Sequence, residues 1–173
     1  PQPNSFWCGP FALKHALTML GVPADPERLA RVSRVHWTRG TDEVDLARAA
    51  RTYGCTMKLS RYVDTEQARR SIIDALRDGP VLICVDGWEH WITIVHHSRG
   101  RFVALDSEAD PVVIVLEWGQ LRDRWSYEHA PTKAKDGSVQ LFDMFPVRRK
   151  TARHGSVRAN FAVARARGLR RPE

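Results

Sequence analysis

The chain has 173 residues, 43% of them hydrophobic and 27% charged, enough length and apolar content for one buried core without disulfide staples. Its three cysteines, Cys8, Cys55 and Cys84, are odd in number and lack zinc-type spacing, so no disulfide framework, metal or other cofactor is expected, and a reducing, cytoplasmic setting is. The net charge of +7 is not spread along the chain, because residues 1–146 hold 18 basic and 19 acidic residues, which argues against a polyanion-binding surface on most of it.

In chain order, Gln2-Pro3-Asn4-Ser5-Phe6-Trp7-Cys8-Gly9-Pro10 leads into Leu13, Leu17 and Leu20 at helical spacing, with Gly21 as the stop. Pro10 fits a first turn, whose N–H groups lack partners anyway. Cys8 therefore opens a helix, where the dipole and the unpaired N–H groups favour the nucleophilic thiolate. Gly9 has no Cβ to keep a carbonyl away from the sulfur. Gln2 lies six residues upstream of Cys8, and its amide is a candidate second donor to an oxyanion.

Asp25-Pro26 next reads as a cap and first turn for a short helix carrying Leu29 and Val32. Residues 34–40 read as loop. Thr41 is expected to cap a helix that ends before Gly54, with Val44, Ala47 and Tyr53 facing inward. A strand over residues 55–60 leads to a helix over 65–78, where Asp64 and Gln67 stand at capping-box spacing. Val81–Val85 is a continuous apolar run, as in a strand buried on both faces. Residues 91–95 and 101–105 form two β-rich runs joined through Ser98-Arg99-Gly100, which predicts a hairpin. A strand over 111–116, a helix over 117–125 and a strand over 139–145 complete the series. Helices first and an antiparallel sheet after them make the class α+β.

The hairpin supplies partners for Cys8. With the simplest register around Ser98-Arg99, positions summing to about 196 face each other, which brings His90 and Asp106 together at its open end. Asp106 would fix one ring nitrogen and leave the other for the thiolate. The remaining candidates are weaker. His15 lies roughly 10 Å along the helix from Cys8, and His96-His97 point to opposite faces of a strand, which argues against a metal pair. Cys55 and Cys84 read as core. Trp7, Trp88 and Glu89 flank the site as a possible substrate pocket, where a carboxylate would select a cationic group.

The Gln-to-Cys interval, the Cys8-Gly9-Pro10 opening, the His90-Trp91 pair at a strand start and Asp106 sixteen residues on resemble the papain-like cysteine peptidases, and within them the bacterial C39-like family. The resemblance spans about residues 2–125. It implies a papain-like α+β fold with the Cys helix packed on the sheet. It also implies a catalytic triad, with Cys8 as nucleophile, His90 as general base and then acid, Asp106 as its orienting carboxylate and Gln2 in the oxyanion hole. Glu89 stands where the family usually has Gly, and Ser107 where Pro is common.

The expected function is thiol-dependent hydrolysis of a peptide bond in a peptide or protein substrate. The alternatives are a papain-like deamidase or amide-forming acyltransferase, or a non-catalytic binding domain that uses its basic tail. The expected catalytic domain is 1–146, followed by a basic extension, 147–173, with nine Lys or Arg against Glu173. That extension suits an acidic partner rather than nucleic acid, since no nucleic-acid module accompanies it. No apolar run reaches the length of a transmembrane segment, and a start at Pro1 is compatible with removal of a leader.

Overall fold

The computed structural model describes residues 2–129 and 138–150. Helices α2 (Pro26–Val32), α3 (Glu43–Thr52) and α4 (Thr65–Leu76) each start on an aspartate. Asp25, Asp42 and Asp64 accept from the backbone N–H three residues on, at 2.7, 2.8 and 2.6 Å, which satisfies one orphan donor of each first turn. The cap of α3 is thus Asp42 and not the expected Thr41, which is buried with its carbonyl accepting from Trp91 Nε1 at 3.1 Å. The buried face of α3 is Leu46, Ala49 and Ala50; of the residues expected inward, Ala47 and Tyr53 pack against this core from its margin, while Val44 is 59% exposed. Leu46, Ala49 and Ala50 form the i, i+3, i+4 stripe that one helix face permits, and Val44 lies off it.

The strands are β1 (Cys55–Met57), β2 (Ser60–Tyr62), β3 (Val81–Val85), β4 (His90–Ser98), β5 (Arg101–Leu105), β6 (Val113–Glu117), β7 (Tyr127–His129) and β8 (Val139–Arg149). They form an antiparallel sheet in the order β1-β8-β3-β4-β5-β6, with β2 and β7 also paired to β8. The single strand expected over residues 55–60 is two, each pairing with a different part of β8. The last strand runs beyond residue 145 to Arg149, with Val147 fully buried and opposite Met57. The sheet therefore crosses the boundary expected after residue 146, and residues 151–173 of the basic extension lie outside the described residues.

Every residue of β3 is buried, and alternation sorts them. Leu82 and Cys84 join Leu13, Leu17, Leu46 and Trp91 on the face covered by α1 (Cys8–Met19), α2 and α3. Val81, Ile83 and Val85 join Ile72, Leu121 and Trp125 on the face covered by α4 and α5 (Trp118–Trp125). A central strand covered on both faces has to be apolar at every position. Each fully buried Leu or Ile here contributes about 1.5–3 kcal/mol.

The β4–β5 hairpin closes through Arg99 and Gly100, both left-handed at φ 50° and 78°, a two-residue turn whose twist matches its strands. That turn pairs Ser98 with Arg101, and an irregularity between Ile94 and His96 then pairs Thr93 with Leu105. The register expected from a turn centred on Ser98-Arg99 is therefore corrected. Positive φ at both turn residues sets the pairing, and the bulge then shifts it back by one residue toward the expected register.

Asp143 on β8 is 1% exposed at its side chain, and Arg61 of β2 holds both its oxygens, Nε at 2.7 Å and Nη2 at 2.6 Å. The Tyr127 hydroxyl donates to it as well, at 2.9 Å. Arg61→Leu leaves that carboxylate buried with one donor, so urea unfolding is expected to show a loss of about 3 kcal/mol. Asp143→Asn should cost less, because the abandoned guanidinium is half-exposed.

Candidate active site

Among the described residues no helix is long and apolar enough to cross a membrane. Helix α1 differs from its neighbours at its first turn. Its cap position is Trp7, the last residue of a 3-10 turn over Ser5–Trp7 that runs into the helix, and the Trp7 side chain makes no capping bond. A helix start without a carboxylate or hydroxyl cap favours negative charge beside it. Cys8 is the first helical residue and is 4% exposed. Gly9, expected to leave room for a carbonyl, serves packing instead. A Cβ there would lie 3.2 Å from Thr41 Cβ and 3.4 Å from both Leu46 methyls, so its absence lets α1 seat on the start of α3.

The helix is pressed on β4, with the Thr93 hydroxyl donating to the Ala12 carbonyl at 2.7 Å. At the start of that strand His90 is buried, and its Nε2 lies 2.7 Å from Asp106 Oδ1. Its other nitrogen, Nδ1, is buried without a hydrogen-bond partner in the described protein. The turn before His90 carries three successive left-handed residues, Asp86, Gly87 and Trp88, at φ 55°, 72° and 74°. Two of these are not glycine, a costly conformation that persists only where neighbours hold it. Here the Asp86 N–H donates to the Arg124 carbonyl at 2.7 Å, and Arg124 Nη2 bonds the Asp86 carboxylate at 2.7 Å.

Arg124 also reaches Asp106 Oδ2 at 3.4 Å, and the Glu108 N–H donates to Asp106 Oδ1 at 3.1 Å. Burial alone would raise the pKa of Asp106, but the His90 hydrogen bond and charge, the Glu108 N–H and Arg124 together lower it to about 2. For His90, burial again opposes the charged form. The Asp106 hydrogen bond and the Cys8 sulfur outweigh it and raise His90 to about 9. The imidazolium is therefore favoured at neutral pH.

Burial pushes Cys84 and Cys55 up, which keeps both in the unreactive thiol form. His15 is lowered to about 4, first by burial and then by neighbouring positive charge, Lys14 foremost. It packs edge-on to Phe11.

Gln2 is held against the loop that follows β5. Its backbone N–H donates to the Ser107 carbonyl at 3.0 Å, its Oε1 accepts from the Ser107 hydroxyl at 2.6 Å, and its Nε2 donates to Glu108 Oε1 at 2.9 Å. A cavity of about 390 Å³ opens beside Cys8, with Trp37, Thr41, Glu43, Trp88 and Glu89 among its walls. Trp88 packs edge-on to Trp91 and Tyr127, at centroid distances of 5.8 and 5.5 Å. Trp7 lines a different cavity, of about 540 Å³, with Phe6 and Arg31. Of the three expected pocket residues, Trp88 and Glu89 share the space beside Cys8 and Trp7 does not.

Arg124 and Glu108 were not apparent in the sequence. Arg124 reaches Asp106 only through the placement of the end of α5, and Glu108, two residues after Asp106, meets His90 only through the fold of the loop after β5. No cluster of side chains able to hold a metal ion occurs among the described residues.

No family model matches the chain, and no curated protein does. Solved structures do. A double glycine motif protease from an AMS/PCAT transporter, in complex with the leader peptide, superposes with a TM-score of 0.59 at 18% identity, covering 84% of this chain and 88% of that one. The peptidase domain of Streptococcus ComA, a bifunctional ABC transporter involved in quorum sensing, gives 0.59 at 14% identity, covering 83% and 94%. The N-terminal peptidase C39 like domain of a toxin secretion ATP-binding protein from Vibrio parahaemolyticus gives 0.57 at 14%, covering 86% and 99%. The chain thus has the fold of C39 peptidase domains, the papain-like α+β arrangement of helices on an antiparallel sheet. At such identities the likeness concerns the fold.

Proposed function

We propose that the protein is a cysteine peptidase that cleaves a peptide bond through an acyl-enzyme on Cys8. The observation that carries this reading is His90, buried between Asp106 at 2.7 Å on Nε2 and an unpartnered Nδ1, with Cys8 among the groups that raise its pKa. A helix start without a side-chain cap supports a thiolate at Cys8.

In this mechanism the Cys8 thiolate adds to the scissile carbonyl, and the oxyanion is held by the Cys8 N–H and by Gln2 Nε2. The His90 Nδ1–H passes its proton to the leaving amine as the C–N bond breaks, which leaves a thioester on Cys8 and a neutral imidazole. That imidazole then takes a proton from water as the hydroxide adds. Collapse releases the acid and restores the thiolate–imidazolium pair. Asp106 stays ionised throughout and keeps the ring oriented, as Arg124 keeps Asp106. Mass spectrometry of a peptide pool tests the reading. Cleaved products that disappear in Cys8→Ala support it, while a one-dalton gain or a cross-link would instead assign deamidation or transfer.

The cavity beside Cys8 carries Asp42, Glu43 and Glu89 against Arg39 alone, and none of the three carboxylates has an ion-pair partner among the described residues. Trp37, 73% exposed, and Trp88 add aromatic faces that attract cations. A peptide with a basic side chain near the scissile bond fits these walls. Glu89→Lys is expected to raise KM for such a peptide by roughly 3- to 10-fold with kcat little changed, the split that marks lost ground-state binding. Steady-state kinetics against an alanine-substituted peptide checks it.

A further inference from the structure

The oxyanion donor assigned to Gln2 is already engaged within the chain. Gln2 Nε2 donates to Glu108 Oε1 at 2.9 Å, while Gln2 Oε1 accepts from the Ser107 hydroxyl at 2.6 Å. An ionised carboxylate can only accept, so the amide nitrogen has to be the end that faces it. The second oxygen of that carboxylate, Oε2, is 3.7 Å from His90 Nδ1, the ring nitrogen that lacks a partner. One carboxylate therefore stands across the two groups that hydrolysis needs free, the donor for the oxyanion and the N–H for the leaving amine. A carboxylate between an oxyanion donor and an imidazolium is also what remains on the acyl side of a peptide bond once it has been hydrolysed.

On the reading of Cys8 as a peptidase nucleophile, we propose that Glu108 is an internal product mimic whose carboxylate fills the acyl-product position of the free protein until substrate displaces it. The residue is built for displacement. Its backbone N–H is anchored on Asp106 at 3.1 Å, so the main chain stays with the triad while the side chain, 49% exposed, turns into water. Gln2 does not depend on Glu108 for its place, because Ser107 holds both its backbone and its Oε1. Withdrawal of the carboxylate thus hands an oriented donor to the incoming carbonyl. While it is in place, a ligand that ends in its own carboxylate finds the position filled and the charge repulsive.

The test uses the full chain as native protein, Glu108→Ala and Glu108→Gln, with three probes. Acetyl-alanyl-alaninal adds reversibly to Cys8 and needs the oxyanion donor, acetyl-dialanine is a product-like acid, and iodoacetamide reports the reactive thiol alone. In Glu108→Ala the aldehyde is expected to bind roughly 3- to 10-fold more tightly, the weight of one half-exposed charged hydrogen bond. The acid should gain more than the aldehyde, because a repelling charge is removed as well. Glu108→Gln should fall between, since its amide oxygen still accepts from Gln2 without the charge. Selective iodoacetamide labelling of Cys8 together with equal or weaker aldehyde binding in Glu108→Ala overturns the product-mimic role and leaves the peptidase reading standing. Unselective labelling in the native protein overturns both.

Discussion

His90→Ala should lower peptide hydrolysis by roughly 10²- to 10⁴-fold, the range that one positioned acid–base group supplies. The same substitution should cut the rate of Cys8 alkylation by iodoacetamide at pH 6 by about 10- to 100-fold, since the thiolate loses the cation beside it. Two features make the labelling selective in the native protein. Cys8, though buried, starts a helix and lines the cavity beside it, whereas burial pushes the thiols of Cys55 and Cys84 up. Peptide mapping after brief labelling should find the adduct on Cys8 alone. Equal labelling of the three cysteines, or labelling unchanged in His90→Ala, would remove the activated pair.

Asp106→Asn carries the second large effect, and its signature is a shift in pH as well as a loss of rate. The proton that His90 donates to the leaving amine is present only below its pKa, raised to about 9 against burial by the Asp106 hydrogen bond and by Cys8. The native profile of kcat/KM should therefore turn down on its alkaline side near pH 9. Asparagine removes the first of the interactions that raise His90, so the downturn moves to lower pH. The rate at its maximum falls by roughly 10²- to 10⁴-fold as the ring loses its orientation.

Stability follows the same pair with a definite sign. His90 is raised from 6.5 to about 9, so its contribution is whole below pH 6.5 and is lost as pH climbs through 9. Asp106 is lowered from 3.8 to about 2, so its contribution is whole above pH 3.8 and is lost as pH falls through 2. The two report one coupled interaction and are counted once. The Tm of the native protein should decline between pH 6.5 and 9, and that component of the decline should be absent from Asp106→Asn.

What could be read from the sequence was whatever depends on neighbours along the chain. Leu13 and Leu17 at helical spacing, Asp25 and Asp64 ahead of their helices, and the unbroken apolar run of β3 each state a local physical requirement, and each lies in the structure as expected. The pairing of His90 with Asp106 was legible because a hairpin is also nearly local, although its register turned on the left-handed pair Arg99 and Gly100. Beyond that range the sequence is silent. Gly9 faces Thr41 and Leu46, Gln2 faces Ser107 and Glu108, and Arg124 faces Asp86 and Asp106. Each of these contacts joins segments whose proximity is decided by tertiary packing and by no motif. The preference of α3 for Asp42 over Thr41 was a choice between two adjacent good caps, which local rules do not separate.

The place of β8 has a consequence for how the chain is made. This strand lies between β1 and β3 in the sheet, yet it is the last strand of the described residues to leave the ribosome. Until residue 149 emerges, β3 presents a bare edge flanked by Val81, Leu82 and Ile83, all wholly apolar and all destined for burial. An unpaired edge of that composition recruits other strands. The nascent chain is thus most open to misassembly in the interval between the emergence of β3 and that of β8, and the arrival of β8 both closes the sheet and ends that exposure.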